Sequence, residues 1–398
     1  MKRFFELLIQ YKFLIIALFV AISGFGYKAY QNIPVDAFPD ITPKQVVIYT
    51  ESSGNSAEDI EKLITYPIEA AMSGLPGVKM ILSNSIFGLS YVSIFFEDDY
   101  DTYLLRQLVT ERLNTVDIPK GWGTPVMGPN TTGLGQVLWY ALKDEKKKYT
   151  PSQLRQMHEY AVTPLFKSVD GVEEVISWGG FEKQYEVLID PIRLQNVDVT
   201  YNEIIEALEK SNQSVGGQYL EFNREQYLIR AAGLYQSMDD IRNTVIRTKD
   251  AKVVTINDVA TVKEGKAPRF GAVSIDGQER VFGMVLQRSG TNAAKVVELI
   301  KEKMPLVNAA LAKGVTIDII YDRTEITHKA VSTMNSALLT GSVLVAIILF
   351  LFLFELRSAF IVILSLPASL LIAFLMMQEY GLSANLMSLS GFATSAVA

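Results

Sequence analysis

Residues 358–378 read SAFIVILSLPASLLIAFLMMQ, and residues 330–354 before them read AVSTMNSALLTGSVLVAIILFLFLF. Neither run contains a charged residue, although Glu355 and Arg357 lie between them. A helix crosses the hydrocarbon core of a bilayer with about 20 consecutive apolar residues. Another uncharged run, residues 381–398, continues to the last residue of the sequence. This stretch predicts two membrane-spanning helices and the start of a third, so the rest of the chain is interpreted as attached to a membrane.

The composition indicates a large water-soluble part between membrane segments. Of the 398 residues, 49% are hydrophobic and 20% are charged, and the mean hydropathy is +0.20. The formal net charge of −6 gives no basic footprint, so no nucleic-acid partner is predicted. The chain has no cysteine, which excludes disulfides, thiolate zinc sites and dithiol redox motifs.

A further uncharged run, residues 13–27, follows the basic residues Lys2, Arg3 and Lys12. A basic start and an apolar middle also occur in cleaved signal peptides, which is the alternative interpretation. However, no A-x-A cleavage site follows the run, and the long side chain of Lys12 can reach the interface and so extend the apolar helix. We predict that residues 1–32 comprise a cytoplasmic N-terminus and a first transmembrane helix.

Two independent observations predict the same topology. The basic residues before the first helix place the N-terminus in the cytoplasm, because cytoplasmic flanks are enriched in lysine and arginine. One crossing then places residues 28–330 outside the cytoplasm. Arg357, between the second and third predicted spans, places that turn back on the cytoplasmic side.

The outer segment alternates predicted strands and helices. Residues 45–50 (QVVIYT) are rich in β-branched residues and predict a strand. Ser56 is expected to cap the helix that follows, which ends near Gly74. The next predicted elements are two strands joined across Gly88-Leu89, at residues 78–87 and 91–96, and a helix that continues to Leu113.

A second unit resembles the first. Thr150-Pro151-Ser152-Gln153 is a capping box with proline at the first helical position, where its missing N–H costs nothing. Thr150 lies 94 residues after Ser56, and Gly171-Val172 lies 94 residues after Gly77-Val78. Cap, helix, Gly-Val and strand recur at one offset, which indicates duplication of a strand–helix–strand unit.

From about residue 181 to residue 266 the pattern changes and then changes back, which indicates one α/β subdomain inserted into another. Helices capped at Thr200 and Ser237 flank a strand pair around Asn223-Arg224. The elements predicted after Pro268 are a hairpin of residues 272–275 and 281–287 around Asp276-Gly277, a helix at residues 292–311 and a strand at residues 315–321.

Few residues suggest chemistry by themselves. The acidic run at residues 97–101 could attract cations, but we interpret it as a solvated turn whose aspartates cap the next helix. His158 and His328, the only histidines, are interpreted as ordinary packed or surface side chains. No paired carboxylate, H-x-x-x-H motif or glycine-rich phosphate loop is present, so the chain is predicted to be neither an enzyme nor a cofactor-binding protein.

Three methionines near the ends of the apolar runs are candidate metal ligands. They are Met376, Met377 and Met387, and thioether sulfur binds soft ions such as Cu(I). The alternative is that they fill gaps in apolar packing.

The apolar runs lack the groups that move protons. Residues 13–27, 330–354, 358–378 and 381–398 contain no Asp, Glu, Lys, Arg or His. Ionisable groups inside a membrane are functional by default, so the chain as written contains no proton relay.

Segments along the whole chain, in order, match one known pattern. The most specific is IPVDAFPD at residues 33–40. The others are TYPI at 65–68, LPGV at 75–78, GPNTTGLG at 128–135, YEVLIDP at 185–191, YDR at 321–323, LRSA at 356–359 and the run from SLP at 365–367 to NLMSL at 385–389. Together they resemble the heavy-metal efflux pumps of the resistance-nodulation-division (RND) superfamily, and IPVDAFPD favours the metal branch over the drug branch.

The resemblance implies α/β periplasmic porter subdomains, made of ferredoxin-like βαβ units with an inserted docking subdomain, combined with transmembrane α-helices. The implied boundaries are a first porter subdomain at residues 33–130, a second at 131–180 and 268–330, a docking subdomain with a hairpin at 181–267, transmembrane helices at 331–355 and 358–378, and the start of a fourth at 381–398.

The resemblance also implies a proton-driven antiporter in the bacterial inner (cell) membrane. The expected substrate is a heavy-metal cation of the Cu/Ag or Co/Zn/Cd type, which is cargo and not a cofactor. The expected partners are two further copies in a homotrimer, reached by the hairpin, a periplasmic membrane-fusion adaptor and an outer-membrane channel. In copper-type members a methionine at the position of Met387 is thought to relay the ion, so Met387 is the implied metal-site residue.

The sequence also departs from the family. Members have two similar halves, and their fourth span continues to an essential carboxylate that residues 381–398 do not reach. We therefore expect an N-terminal part that is not transport-competent alone. The alternatives are a membrane-anchored periplasmic assembly or binding subunit that pairs with a separate second-half polypeptide, and a fragment of a drug-type RND pump.

Overall fold

A computed structural model describes residues 11–33, 40–222, 225–231, 233–249, 252–269, 271–353, 356–380, 384–385, 387–388 and 391. Most of the IPVDAFPD motif, the predicted turn at Asn223-Arg224 and most of residues 381–398 lie outside these ranges. Contacts divide the chain into two compact units. Unit 1 comprises Met1–Lys143, Tyr160–Ser177 and Phe282–Ala398, and unit 2 comprises Asp144–Glu159 and Trp178–Val281.

The elements follow one another in alternating α/β order. The first are α1 (Lys12–Asn32), β1 (Gln45–Glu51), α2 (Ala57–Ile60), a π-helical turn (Glu61–Thr65), α3 (Tyr66–Met72), β2 (Val78–Ile86), β3 (Leu89–Phe96), α4 (Thr102–Leu113), β4 (Val126–Met127) and β5 (Gln136–Asp144). The next are α5 (Pro151–Met157), a second π-helical turn (His158–Val162), α6 (Thr163–Lys167), β6 (Val172–Trp178), β7 (Lys183–Ile189), α7 (Pro191–Val197), α8 (Tyr201–Ser211), β8 (Val215–Phe222) and β9 (Glu225–Ala231). The last are α9 (Met238–Arg242), β10 (Val245–Lys249), β11 (Lys252–Thr255), α10 (Ile256–Val259), β12 (Ala260–Lys266), β13 (Val273–Ile275), β14 (Gln278–Arg280), β15 (Phe282–Gln287), α11 (Ala293–Ala310), β16 (Val315–Asp322), α12 (Arg323–Leu353) and α13 (Leu356–Glu379). The mixed α/β architecture predicted from the sequence is confirmed.

The first sheet of unit 1 has the strand order β2-β3-β1-β4, and each neighbouring pair is antiparallel. Successive side chains of a strand point to opposite faces, and Val46 and Ile48 of β1 are buried on the face that packs against helices. Ile60, Ile64 and Ile68 supply the apolar stripe of the covering helix at a spacing of four residues. The core of this part lies between the sheet and that helix.

The second sheet of unit 1 has the strand order β16-β5-β15-β6. Tyr140 of β5 meets Phe166 of α6 edge-on, with ring centroids 5.2 Å apart. Trp139, on the opposite face of β5, lies 4.9 Å from the ring of Tyr321 in β16. Apolar side chains therefore lie on both faces of this sheet.

Two helices, one formed by α2 and α3 and one by α5 and α6, are each interrupted by a π-helical turn. Pro67 in α3 and Pro164 in α6 each follow their π turn within two residues. A proline has no N–H, so the carbonyl four residues earlier loses its usual partner in an α-helix. Single π-helical turns occur as insertions in α-helices. Here each π-helical turn contains the carbonyl whose α-helical hydrogen bond the proline removes.

Unit 2 consists of two-stranded sheets and short helices. The strand pairs are β7 with β12, β8 with β9, β10 with β11 and β13 with β14. Ile204 of α8, Ile256 and Val259 of α10 and Val262 of β12 form its core. The capping boxes predicted at Thr200 and Ser237 are both present, which confirms those helix starts.

The predicted helix caps are confirmed. Ser56 accepts a hydrogen bond from the Asp59 amide, and Thr150 forms its capping box with Gln153. In the first hairpin the turn is Phe87-Gly88, one residue earlier than predicted, because Leu89 already pairs with Ile86 and Gly88 alone supplies the positive φ of 81°.

The predicted pairing of residues 272–275 with 281–287 is wrong. Asp276 and Gly277 both have positive φ, 54° and 70°, which makes a two-residue turn that sets Ile275 opposite Gln278. The buried strand β15 pairs with β5 instead, because its apolar residues are covered in the core of unit 1.

The described residues of the apolar runs 13–27, 330–354 and 358–378 lie in helices α1, α12 and α13. Helix α12 begins at Arg323, directly after β16, without an intervening loop. Among the residues that the structure describes, no helix combines the length and the apolarity needed to cross a membrane.

Candidate functional site

Met387, the metal ligand implied by the resemblance, has helical backbone and lies within a turn between Asn385 and Ser388. Asn385 and Ser388 hold this turn through reciprocal hydrogen bonds. The Asn385 amide donates to Ser388 Oγ, and the Ser388 amide donates to Asn385 Oδ1, each over 3.0 Å. The side chain of Met387 is 71% exposed. The thioether is therefore accessible on a fixed turn.

The packing of α1 against α13 sets the position of that turn. A Cβ on Gly26 would lie 2.3 Å from the carbonyl oxygen of Leu371, so only glycine permits this approach of the two helices. The ring of Tyr30 lies 5.1 Å from that of Phe374. Ala384, just before the turn, is buried in the same apolar cluster.

The other two methionines have different surroundings. Met377 is buried in the cluster between α1 and α13, so it fills the packing role that was its alternative interpretation. Met376 is half exposed. In the described parts of the chain, no group of three or more His, Asp or Glu side chains could hold a metal ion.

His158 is a packed side chain, as the sequence analysis interprets it. It is fully buried at the start of the second π turn. Burial lowers the pKa of His158 to about 3, and the neighbouring charge of Arg155 contributes in the same direction. The imidazole is neutral across the physiological range. His328 lies on α12 with an exposed side chain.

The acidic run at residues 97–101 is a capped turn, which confirms the preferred interpretation. Asp101 Oδ1 accepts from the amides of Tyr103 and Leu104, at 2.9 and 3.0 Å, and so begins α4. The Lys44 ammonium donates to the carbonyls of Asp98 and Tyr100, both over 2.6 Å. Lys44 therefore holds the turn by binding the backbone carbonyls of the turn residues.

Sequence analysis named Asp322 only within the matching segment YDR and gave it no role, although its side chain is 3% exposed, the lowest value for a carboxylate among the ion pairs of the described residues. It pairs with Lys301 of α11 and accepts from the Thr324 amide and hydroxyl at 2.8 and 2.6 Å. Burial raises the pKa of Asp322, but the bonds from Lys301 and Thr324 outweigh it and hold the pKa below its ordinary value. The signal was an acidic residue just before a long helix, where a cap is expected.

Unit 2 carries a groove and an exposed hairpin. A cavity of about 610 Å³ lies between β7 and the end of α8, and its lining includes Tyr185, Leu208, Asn212 and Tyr235. Tyr235 is fixed by a 2.8 Å contact between its hydroxyl and that of Thr244. The hairpin β8–β9 exposes three aromatic side chains, Tyr219, Phe222 and Tyr227.

Comparison with known proteins covers almost the whole chain. The model of the AcrB/AcrD/AcrF family matches residues 4–396. The cobalt-zinc-cadmium resistance protein CzcA of Cupriavidus metallidurans is 40% identical over 397 residues, which is 98% of this chain and 37% of that protein. The cation efflux system protein CusA of Escherichia coli K12 is 38% identical over 386 residues, which is 96% of this chain and 37% of that protein.

A solved structure agrees. The X-ray structure of a heavy metal efflux pump superposes with a TM-score of 0.87 at 30% identity, covering 96% of this chain and 39% of that one. The chain thus spans between one third and two fifths of the length of the relatives that it matches.

Proposed function

This chain belongs to the AcrB/AcrD/AcrF (RND) family, a family of transporters rather than enzymes, and from that premise we propose that it forms the N-terminal part of a proton-driven exporter of heavy-metal cations. One observation carries the proposal. Relatives named for cation efflux and for cobalt, zinc and cadmium resistance match it at 40% identity over 98% of its length.

The proposed location is the bacterial inner membrane, with residues 28–330 in the periplasm. The support is the set of uncharged runs at residues 13–27, 330–354 and 358–378, and the basic residues before the first of them. Helices α1, α12 and α13 contain the described residues of these runs. Residues 381–398 would begin a fourth span.

The proposed periplasmic part has two ferredoxin-like porter subdomains, residues 33–130 and residues 131–180 with 268–330. The two four-stranded sheets of unit 1 support them. The proposed docking subdomain is residues 181–267, and three two-stranded sheets of unit 2, β7 with β12, β8 with β9 and β10 with β11, support it. Its exposed aromatic hairpin would reach a neighbouring copy in a homotrimer, and the groove at Tyr185 and Tyr235 is the surface on which we propose that it docks. A periplasmic adaptor and an outer-membrane channel are the further partners.

Met387 is the proposed metal contact on the cation path. Its exposed thioether suits a soft monovalent ion of copper or silver. The name of the relative from Cupriavidus metallidurans, in contrast, indicates the divalent ions of cobalt, zinc and cadmium as cargo. In a chimaera of residues 1–398 with the remaining part of CzcA, Met387→Ile should reduce the tolerance of the host bacterium to silver and copper and leave its tolerance to cobalt and zinc unchanged. The matched control is Met376→Ile, the same change at a half-exposed position; equal effects of both variants would exclude a specific role for Met387.

The 398 residues alone should not export metal, because their apolar runs contain no Asp, Glu, Lys, Arg or His. The test joins residues 1–398 to the remaining part of CzcA and expresses the chimaera in a metal-sensitive bacterium. Growth in cobalt, zinc, cadmium, copper, silver and organic toxins is measured beside strains with residues 1–398 alone and with intact CzcA.

The proposal expects metal resistance from the chimaera, loss of resistance with a proton uncoupler, and none from residues 1–398. A chimaera that reaches the membrane and confers resistance only to organic toxins would support the drug-type alternative. Copurification of residues 1–398 with a separately expressed second half, without export, would support an assembly or binding subunit.

A further inference from the structure

The loop of residues 128–135, GPNTTGLG, connects the edge strand of the first sheet to β5, which lies inside the second sheet. Both of its ends are bonded into those sheets. Its backbone contacts are the Gly128 amide with the Val47 carbonyl (2.7 Å), the Asn130 amide with Glu173 Oε1 (2.9 Å), the Ser289 amide with the Asn130 carbonyl (2.9 Å) and the Gln287 amide with the Gly135 carbonyl (2.8 Å). The loop is therefore bonded to β1, to β6 and to the end of β15.

Asp40 and Thr42, in the segment directly before β1, form hydrogen bonds to the middle of the same loop. The Gly133 amide donates to Thr42 Oγ1 over 3.2 Å, and Asp40 accepts from the hydroxyl of Thr132. Asp40 Oδ1 also accepts from the Thr42 amide at 3.0 Å. Burial raises the pKa of Asp40, but the bonds from Thr132 and Thr42 and the charge of Arg323 outweigh it and keep the pKa below its ordinary value.

Arg323, the first residue of α12, also forms a hydrogen bond to the loop. Arg323 is 8% exposed, and its guanidinium donates to the carbonyl of Leu134. Its neighbours hold the backbone at this point. Asp322 caps the helix through Thr324, and Thr327 Oγ1 donates to the Arg323 carbonyl over 3.2 Å.

The loop has little room to deform independently of these contacts. A Cβ on Gly128 would lie 2.6 Å from the Tyr49 hydroxyl, and one on Gly135 would lie 1.8 Å from Thr131 Oγ1. A loop that is packed this closely and bonded at both ends moves with the groups that hold it.

We propose that residues 128–135 are a coupling loop, bound by Arg323 at the start of α12 and by Asp40 and Thr42 in the segment directly before β1. A displacement of the start of α12 then reaches β1 and β5 through the loop. This inference rests on the proposed function, in which α12 crosses the membrane and the two sheets lie in the porter subdomains. Arg323 is a positioning residue: it acts on the sheets through the Leu134 carbonyl.

The clasp, which is the hydrogen bond from Arg323 to the Leu134 carbonyl, is tested by hydrogen exchange of the 398-residue chain in detergent. In Arg323→Met the amides of residues 128–135 should exchange roughly tenfold faster or more, because a buried hydrogen bond to a charged group is lost. Arg323→Lys, which keeps one donor and the charge, should restore part of the protection. The matched control is Arg112→Met, the same change at an exposed arginine of unit 1.

Strand β3, which the clasp does not touch, reports on general stability. Unchanged exchange in the loop of Arg323→Met, or an equal rise in the loop and in β3, would overturn the clasp. Loss of loop protection with β3 unchanged would support it.

The coupling is tested in the chimaera with CzcA. Arg323→Met should reduce export roughly tenfold with unchanged amounts in the membrane, and Arg112→Met should not. Normal export from a variant whose loop has lost protection would overturn the coupling. If the chimaera with native Arg323 exports no metal, the proposed function fails, and the exchange result on the clasp stands by itself.

Discussion

The two interrupted helices have different buried polar groups at their π turns. In the first, α2 and α3 with their π turn, the turn ends at Thr65, which is buried with its hydroxyl 2.7 Å from that of Ser90 and 2.8 Å from that of Ser85. In the second, α5 and α6 with their π turn, the turn begins at the fully buried His158. The difference teaches that a buried polar group can be kept by hydrogen bonds to neutral partners or by suppressing its charge.

The largest effect should come from the apolar anchor of the second helix. Phe166→Ala removes a fully buried ring that meets Tyr140 edge-on, and such deletions cost about 3–5 kcal/mol. Hydrogen exchange of residues 151–167 should show that loss in the free energy of opening, while residues 57–72 keep theirs. Tyr160→Ala removes a ring that is 79% exposed and is the control; equal losses in both helices would mean that they open as one.

Acid should weaken the second helix and spare the first. The pKa of His158 is about 3 in the folded chain and near 6.5 when unfolded, so the unfolded state binds a proton that the native state does not. The free energy of opening therefore falls as the pH drops below about 6.5, by about 2 kcal/mol between pH 7 and pH 5. Hydrogen exchange of residues 151–167, corrected for the pH dependence of the intrinsic exchange rates, measures this free energy of opening.

The control for the acid effect is His158→Gln, which has no titrating ring. Residues 57–72 contain no histidine. An unchanged pH dependence in His158→Gln would show that another group is responsible.

A smaller loss is expected from the hydroxyl network of the first helix. Thr65→Val keeps the shape but leaves the hydroxyls of Ser85 and Ser90 without this partner, at a cost of about 1–2 kcal/mol. Thr65→Ser retains the hydroxyl and should recover most of the stability that Thr65→Val loses. If valine is tolerated as well as serine, the network contributes nothing to the first helix.

The smallest effects separate the two caps. Ser56→Ala and Thr150→Ala each remove an N-cap, worth about 1 kcal/mol. Thr150→Ala should cost less than Ser56→Ala, because it keeps the Thr150 backbone amide that donates to Gln153 Oε1 over 2.9 Å, and this half of the capping box survives the substitution. Amide exchange in the first turn of each helix measures the difference, and a larger loss in Thr150→Ala would contradict it.

Local features were predictable from the sequence, and contacts between distant segments were not. The caps at Ser56, Thr150, Thr200 and Ser237 depend on side chains three residues away, so their patterns predict them. The pairing of β15 with β5 was missed because the nearer turn at Asp276-Gly277 suggested a local partner.

For the candidate site, the resemblance implied Met387 as a metal-site residue, which stays a prediction, and the sequence did not indicate the surroundings of Asp322 and Arg323. The ion pair of the buried Asp322 with the half-exposed Lys301, and the bond from Arg323 to the Leu134 carbonyl, depend on tertiary contacts that no local pattern encodes. Helix positions in the apolar runs were predictable from the absence of charge. The membrane crossing and the subdomain boundaries stay predictions.

The clasp between Arg323 and Leu134 also orders events during synthesis, because it joins residues 189 positions apart. At about 5–20 residues per second, Arg323 leaves the ribosome about 10–40 s after Leu134. The first sheet is complete by residue 127 and can fold in that interval, whereas β5 must wait for β15 and β16. A nascent chain therefore carries one finished sheet and one unpaired, apolar strand until its last third appears.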